Sequence, residues 1–305
     1  MLQRDAFIDV ITKKLESDKS IYFLSADFGA AALDSLREKF PNNFLHCGIS
    51  EQAMLDVASG LALEGNKVFC YAMAPFISLR SIEQAKCGAG LMNLPICLIS
   101  VGIGLGYADA GPTHYSTEDF ACFRSIVGSS IYTPSDVNTA KMIAEDMLSS
   151  PKFSYVRLDR EVLPNLSPEI TSQEYKEGFK IFGKVEEDKI ALISHGKMMH
   201  KCFKLYKNEP NKFFCVDIFR SKPFPKTLPT MLKKCKAIVT VDEQTPSGNL
   251  SACIFEGFSE QNYFPKIVSK CLPEQYVFEN GGREYLLNKF GLSSEDIIEA
   301  TKKII

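Results

Sequence analysis

The sequence predicts an α/β protein of two parallel-sheet domains, the second smaller than the first, on three observations. Short apolar runs alternate with helix-period segments through the first half of the chain. The pattern breaks between about 161 and 178, where EVLPNLSPEITSQEYKEG is polar and carries two prolines. It then resumes toward the C-terminus. Alternation of strand and helix builds parallel, doubly wound sheets, and a polar, proline-containing break marks a linker. The domains are placed at 1–165 and 179–305 with a linker at 166–178, and 305 residues suffice for two cores.

Taken in order, MLQRDAFIDVITKKL carries charges within an apolar helical period, so it reads as an amphipathic helix rather than a signal peptide. IYFLSAD (21–27) and VFCYAMA (68–74) are buried strands. Between them EQAMLDVASGLAL (51–63) repeats Met54, Val57, Ala58 and Leu61 at helical spacing, with Ser50 as its cap and Gly65 as its stop. PFISLRSIEQAKCGAGL (75–91) is a helix opened by Pro75, and PICLISVG (95–102) is a strand. STEDFACFRSIV opens with a capping-box pattern, Ser116 to Asp119. IYT, a helix capped by Ser135, and FSYVRLD complete the first domain. KIALISHG, a helix over 197–207, FFCVDIF, a helix over 227–234 and AIVTVDE make the second. No tandem repeat is evident.

The composition excludes several classes. With 45% hydrophobic and 24% charged residues and a net charge of −2, the chain has no polyanion-binding bias, so no nucleic-acid partner is expected. The uncharged stretch 87–108 is broken by Pro95 and five glycines, so it is not a membrane span. Ten cysteines form no C-x-x-C pair, which argues against a disulfide framework or zinc cluster and for a reducing cytoplasm. The four histidines show no H-E-x-x-H spacing, so no protein-ligated metal is expected.

Two stretches carry candidate chemistry. In HCGISEQAML (46–55), Glu51 sits at a helix start, where a carboxylate meets the positive end of the helix dipole for about 0.3–1 kcal/mol. On its own it reads as a helix-start acid rather than as a catalyst. In 102–124, GIGLGY fails the G-x-G-x-x-G pattern because position 107 is Tyr, so a nucleotide site is rejected. A polar loop after a buried strand is where open α/β sheets bind ligands. His114 on that loop is therefore a candidate, beside the plainer reading of a locally hydrogen-bonded histidine.

GISEQ, then Pro75, Phe76, Arg80 and Gln84, then GPTH followed by Ser116, ED and Arg124, then YTPSD, together resemble the C-terminal half of transketolases. The set also resembles stand-alone transketolase-like C-terminal subunits and, more distantly, deoxyxylulose-phosphate synthases. SAD (25–27), VRLDR (156–160), ALISHG (191–196) and VDEQTPSGNL (241–250) extend the resemblance over nearly the whole chain. It implies a pyrimidine-binding domain followed by a transketolase C-terminal-like domain, with thiamine diphosphate as cofactor. Glu51 then corresponds to the acid that hydrogen-bonds the pyrimidine nitrogen and promotes the imino tautomer, which takes the thiazolium proton. Phe76 corresponds to the aromatic stacked on that ring, against the alternative of a core aromatic. Met73 stands where many relatives have a second aromatic. His114 corresponds to a histidine that contacts substrate-derived oxygens.

By the same resemblance Arg160 and Arg4 correspond to phosphate-gripping arginines, a task suited to bidentate guanidinium groups, although each also reads as an ion-pair residue. Asp27 either binds a sugar hydroxyl or caps the segment after its strand. Two departures bear on the acceptor: Ala110 stands where transketolases have Asp, and Ser100 where they have a phosphate-contacting His. No GDG motif occurs in the chain, so the resemblance implies that Mg²⁺ is ligated mainly by a partner. That partner is an N-terminal transketolase-like subunit carrying GDG, two copies of each chain forming a heterotetramer. The implied reaction is two-carbon ketol transfer from a ketose or ketose phosphate to an aldehyde. The alternatives are a deoxyxylulose-phosphate-synthase-like or 2-oxo-acid dehydrogenase beta-subunit-like decarboxylative enzyme, and an inactive scaffold.

Overall fold

A computed structural model describes residues 1–26, 29–259, 261 and 263–302. Twelve strands are present among them: β1 (Ile21–Ala26), β2 (Phe44–Gly48), β3 (Lys67–Met73), β4 (Ile96–Val101), β5 (Ser130–Tyr132), β6 (Ser154–Leu158), β7 (Lys180–Phe182), β8 (Ile190–Ser194), β9 (Phe213–Asp217), β10 (Arg220–Lys222), β11 (Ala237–Val241) and β12 (Ile267–Lys270). They form a seven-stranded sheet in the order β10-β5-β6-β4-β3-β1-β2 and a five-stranded sheet in the order β12-β11-β8-β9-β7. Pairing is parallel except for β10 with β5 and β7 with β9. Among the described residues no helix is long and apolar enough to cross a membrane.

The strand-forming runs are buried because helices cover both faces of each sheet. All six residues of β4 are buried, as are those of β6, β8, β9 and β11. On one face of the first sheet the helix Gln3–Leu15 packs against Val137–Ser149 over Phe7, Ile11, Ile143 and Met147. On the other, Glu51–Leu63 and the helical segment after β3 enclose Met54, Ala58, Ile77 and Phe123.

Four local expectations are corrected. The segment after β3 is helical, but Phe76–Arg80 and Ala85–Gly90 are π-helical turns around a short α-helix, Ile82–Gln84. The buried Ser78 and Ser81 hydroxyls donate to the carbonyls of Ala74 and Ile77 at 2.5 and 2.8 Å, in competition with the backbone ladder. Ser116 caps nothing, because it forms a bridge with Gly104, and the helix Asp119–Ser125 starts later. Asp136, not Ser135, caps Val137–Ser149 by accepting from the Thr139 N–H. Ser135 is instead spent on Asp217, to which it donates at 2.7 Å. Within the expected linker the structure contains a further helix, Ser172–Glu177, with a capping box at Thr171.

The unforeseen element is β10. It belongs in sequence to the second domain, yet it pairs antiparallel with β5 and extends the first sheet. Buried polar groups reinforce this junction. Arg157 is 1% exposed and bonds Asp119 through Nε and Nη2 at 2.7 and 3.1 Å, while Gln244 of the second domain donates to the same carboxylate. Arg283 reaches from the second domain to Asp159 and Glu243. Burial would raise the Asp159 carboxyl, but the Arg283 guanidinium beside it holds it below the usual carboxylate range.

Burial has the opposite outcome for two acids at the junction, pushing Asp217 up to about 8 and Asp242 up to about 7. In the unfolded chain both ionise near 4, so between that pH and their folded values the native state holds the extra protons. Native stability should therefore fall as pH rises from 5 to 8, by roughly 1 kcal/mol per pH unit for each acid until its folded value is passed, at about 7 for Asp242 and about 8 for Asp217. Urea midpoints measured across that range should decline less steeply for Asp217→Asn than for the wild type. Parallel curves for the two proteins would contradict the assignment.

Candidate active site

The first sheet delivers its candidate residues at the C-terminal edge of its strands, where connecting loops can converge on a ligand. Glu51 opens the helix Glu51–Leu63 just after β2, and its side chain is 4% exposed. Ser50, expected as the cap, makes no side-chain cap bond, because its hydroxyl donates to the Cys47 carbonyl at 2.5 Å. Val57, expected in the helix's buried stripe, is 44% exposed. The Glu51 carboxylate accepts from Arg80 Nη1 at 2.6 Å.

The same guanidinium lies over the Phe76 ring, 4.2 Å from its centre. Met73 ends β3 and Phe76 begins the π-helical turn; both are half-buried. The His114 imidazole meets Phe76 edge-on, with ring centres 5.3 Å apart and an interplanar angle of 72°. Glu51 and Phe76, distant in sequence, thus meet at Arg80, and His114 joins them through the Phe76 ring. The sequence motif contained Arg80 without a role for it. Its spacing of four residues from Phe76 is the signal that could have found it, since neighbouring turns bring such pairs together.

The loop bearing His114 is held by close packing. Gly102 has φ +84°, and a Cβ there would run into the Tyr107 ring. Gly104 has φ +57°, and its Cβ would run into the side chain of Glu243, whose Oε2 accepts from the Leu105 N–H at 3.0 Å. These glycines serve close approach within the fold. Gly104 and Ser116 exchange backbone hydrogen bonds of 3.0 and 2.9 Å, which close the base of the loop. Near its tip the Thr113 hydroxyl sits 2.9 Å from His114 Nδ1, so ligand chemistry falls to Nε2.

One of the two arginines lies over a tyrosine ring, and the other is within electrostatic reach of it. The Arg160 guanidinium lies 4.4 Å above the Tyr107 ring and bonds the exposed Asp109 at 3.0 Å. Arg4 pairs with Asp5 at 2.8 Å. Burial pushes the Tyr107 hydroxyl up to about 12, while Arg160 and Arg4, both within electrostatic reach, pull it back. Arg4 is placed by its neighbour: buried Gln3 donates to the Pro134 carbonyl at 2.8 Å and accepts from the Asp159 N–H at 2.9 Å. Ser100 is fully buried and donates to the Val156 carbonyl at 3.1 Å, so its hydroxyl faces the sheet rather than a ligand. Asp27 lies outside the described residues.

Residues 1–165 match the family described as "Transketolase, pyrimidine binding domain", and residues 182–297 match "Transketolase, C-terminal domain". The chain belongs to the transketolase family. It is 25% identical to one subunit of the apulose-4-phosphate transketolase of Phocaeicola vulgatus, over 99% of this chain and 97% of that one. It is 28% identical to transketolase-like protein 1 of Bos taurus, there spanning 89% of this chain but 46% of the relative. Among solved structures, one described as a split gene transketolase, an inactive beta4 tetramer, superposes with a TM-score of 0.86 at 24% identity. It covers 100% of this chain and 98% of that one.

Transketolases depend on thiamine diphosphate, and this transketolase-family site fits the pyrimidine end of that cofactor. A buried carboxylate and an aromatic face already embrace one planar nitrogen donor, the Arg80 guanidinium. Among the described residues, no group of three His, Cys, Asp or Glu side chains is arranged to hold a metal ion.

Gly102→Ala should destabilise the chain by roughly 2–4 kcal/mol, combining a left-handed backbone with overpacking against Tyr107. Denaturant unfolding checks this. A loss below the error of the midpoint would show that the loop relaxes without cost.

Proposed function

We propose that this chain is the C-terminal subunit of a split transketolase, transferring a two-carbon ketol unit from a ketose or ketose phosphate to an aldehyde. The observation that carries the reading is the convergence of Glu51, Phe76 and His114 at one strand edge, in a chain that aligns end to end with a single transketolase subunit. Exposed apolar residues run along the helical segments that pack on one face of the first sheet. Ile49, Val57 and Leu63 lie on or beside the helix Glu51–Leu63, and Leu79, Leu91 and Met92 on or beside the helical segments packed against it. Exposed apolar side chains along these helices suit a surface covered by a partner. The partner proposed for it is an N-terminal subunit carrying the GDG motif and most of the Mg²⁺ ligands, in a heterotetramer. Ten free cysteines, most of them buried, suit a cytoplasmic setting.

Thiamine diphosphate, when bound, supplies a carbon nucleophile that neither subunit's side chains offer. Glu51 holds a proton at the pyrimidine nitrogen, a task suited to a carboxylate removed from water. Phe76 fixes the ring by stacking, and Met73 forms an adaptable wall beside it. His114 Nε2 hydrogen-bonds the oxygens of the sugar. Arg160, which lies over Tyr107, and Arg4, within electrostatic reach of the same tyrosine, receive an anionic end of the substrate by bidentate hydrogen bonds. Asp27 is assigned a sugar hydroxyl on the family resemblance alone.

Glu51→Gln, reconstituted with the N-terminal partner, should lose at least about a hundredfold in ketol transfer while assembling normally on a sizing column. Turnover at the wild-type rate would refute the role. Arg160→Ala should raise KM for a ketose phosphate roughly tenfold with little change in kcat, and leave an unphosphorylated ketose untouched. Equal losses on both donors would place Arg160 outside phosphate recognition.

A further inference from the structure

Arg80 makes at once the two contacts that the site reading reserves for the pyrimidine ring. Its planar guanidinium lies over Phe76, 4.2 Å from the ring centre, and donates to Glu51 Oε2 at 2.6 Å. The side chain is 39% exposed and reaches inward from the rim, whereas the Glu51 side chain is 4% exposed. A buried carboxylate without a partner is costly, so a chain lacking its cofactor needs a cation or a donor at this point. A flexible arginine four residues from the aromatic supplies it, satisfying ring and acid together.

We propose that Arg80 is an internal stand-in for the aminopyrimidine: it occupies the Glu51–Phe76 slot in the free chain and swings outward when the cofactor enters. This rests on the reading of Glu51 and Phe76 as the pyrimidine site. The acid and the ring cannot each serve both occupants through the same atoms, so cofactor binding competes with a preformed side-chain contact. Arg80 then tunes cofactor affinity and keeps the half-site ordered before assembly. It is a positioning residue, acting through Glu51 and Phe76.

The test is calorimetric titration of thiamine diphosphate with Mg²⁺ into the complex with the N-terminal partner. The proteins are wild type, Arg80→Met, Arg80→Lys, Glu51→Gln and the double variant Glu51→Gln/Arg80→Met. Met keeps an apolar stem but removes the guanidinium, so Arg80→Met should bind the cofactor roughly three- to tenfold more tightly, with Lys intermediate. In the Glu51→Gln background, where the ion pair is gone, the gain should shrink. Unchanged or weaker binding by Arg80→Met, with the wild type binding normally, overturns the stand-in role and makes Arg80 a companion of Glu51 beneath the bound ring. Absence of cofactor heat from the wild type and every variant overturns the reading of the site itself, and the stand-in role with it. Sizing-column assembly of each variant separates either outcome from misfolding.

Discussion

The clamp made by Arg283 is the interaction on which the geometry of the site depends. Its guanidinium spans Asp159, at the end of β6, and Glu243, just after β11, while 5% of its own side chain is exposed. Three charges buried together are stable only when each is paired and hydrogen-bonded, and here each is. Glu243 passes the constraint on to the first domain by accepting from Leu105, and Asp159 does so through Gln3 and the helix that carries Arg4. Removing the guanidinium would leave two buried carboxylates facing each other across the junction. The second domain therefore acts as the abutment against which the His114 loop is set.

Arg157 completes the arrangement from within the first sheet. Its partner Asp119 opens the helix after the His114 loop and also accepts from the Tyr155 hydroxyl and Gln244. With Asp119 fixed at one end and Gly102 pressed on Tyr107 at the other, the loop has little freedom to move His114 relative to Phe76. Preorganisation of this kind is what orientation-dependent catalysis requires.

The architecture was legible in the sequence because strand and helix differ in hydrophobic period, and the central strands of both sheets fell on buried apolar runs. The ordered motifs singled out Glu51, Phe76 and His114 as candidates, and in the structure the Phe76 ring meets both the His114 imidazole and the guanidinium that bonds Glu51. What escaped was decided by tertiary competition for the same groups. Ser135 and Ser116 look like caps, but Asp217 claims the hydroxyl of the first and a backbone bridge to Gly104 claims the second. The serines at 78 and 81 convert a predicted α-helix into π-helical turns. β10 is three residues long and carries two cations, so no period marks it as a strand. Arg80 could be read as a member of a motif, but its contact with Glu51 depends on a fold that spacing alone does not reveal.

The antiparallel strand β10 also bears on modularity. The second domain lends an edge to the first sheet and receives Ser135 in return, so the boundary between the two is a woven seam rather than a hinge. A surgeon of this fold who wished to exchange the C-terminal domain for that of a relative would have to carry β5, the Ser135 turn and the Asp159 carboxylate along with it. Recombination is thus confined to cuts that respect the weave.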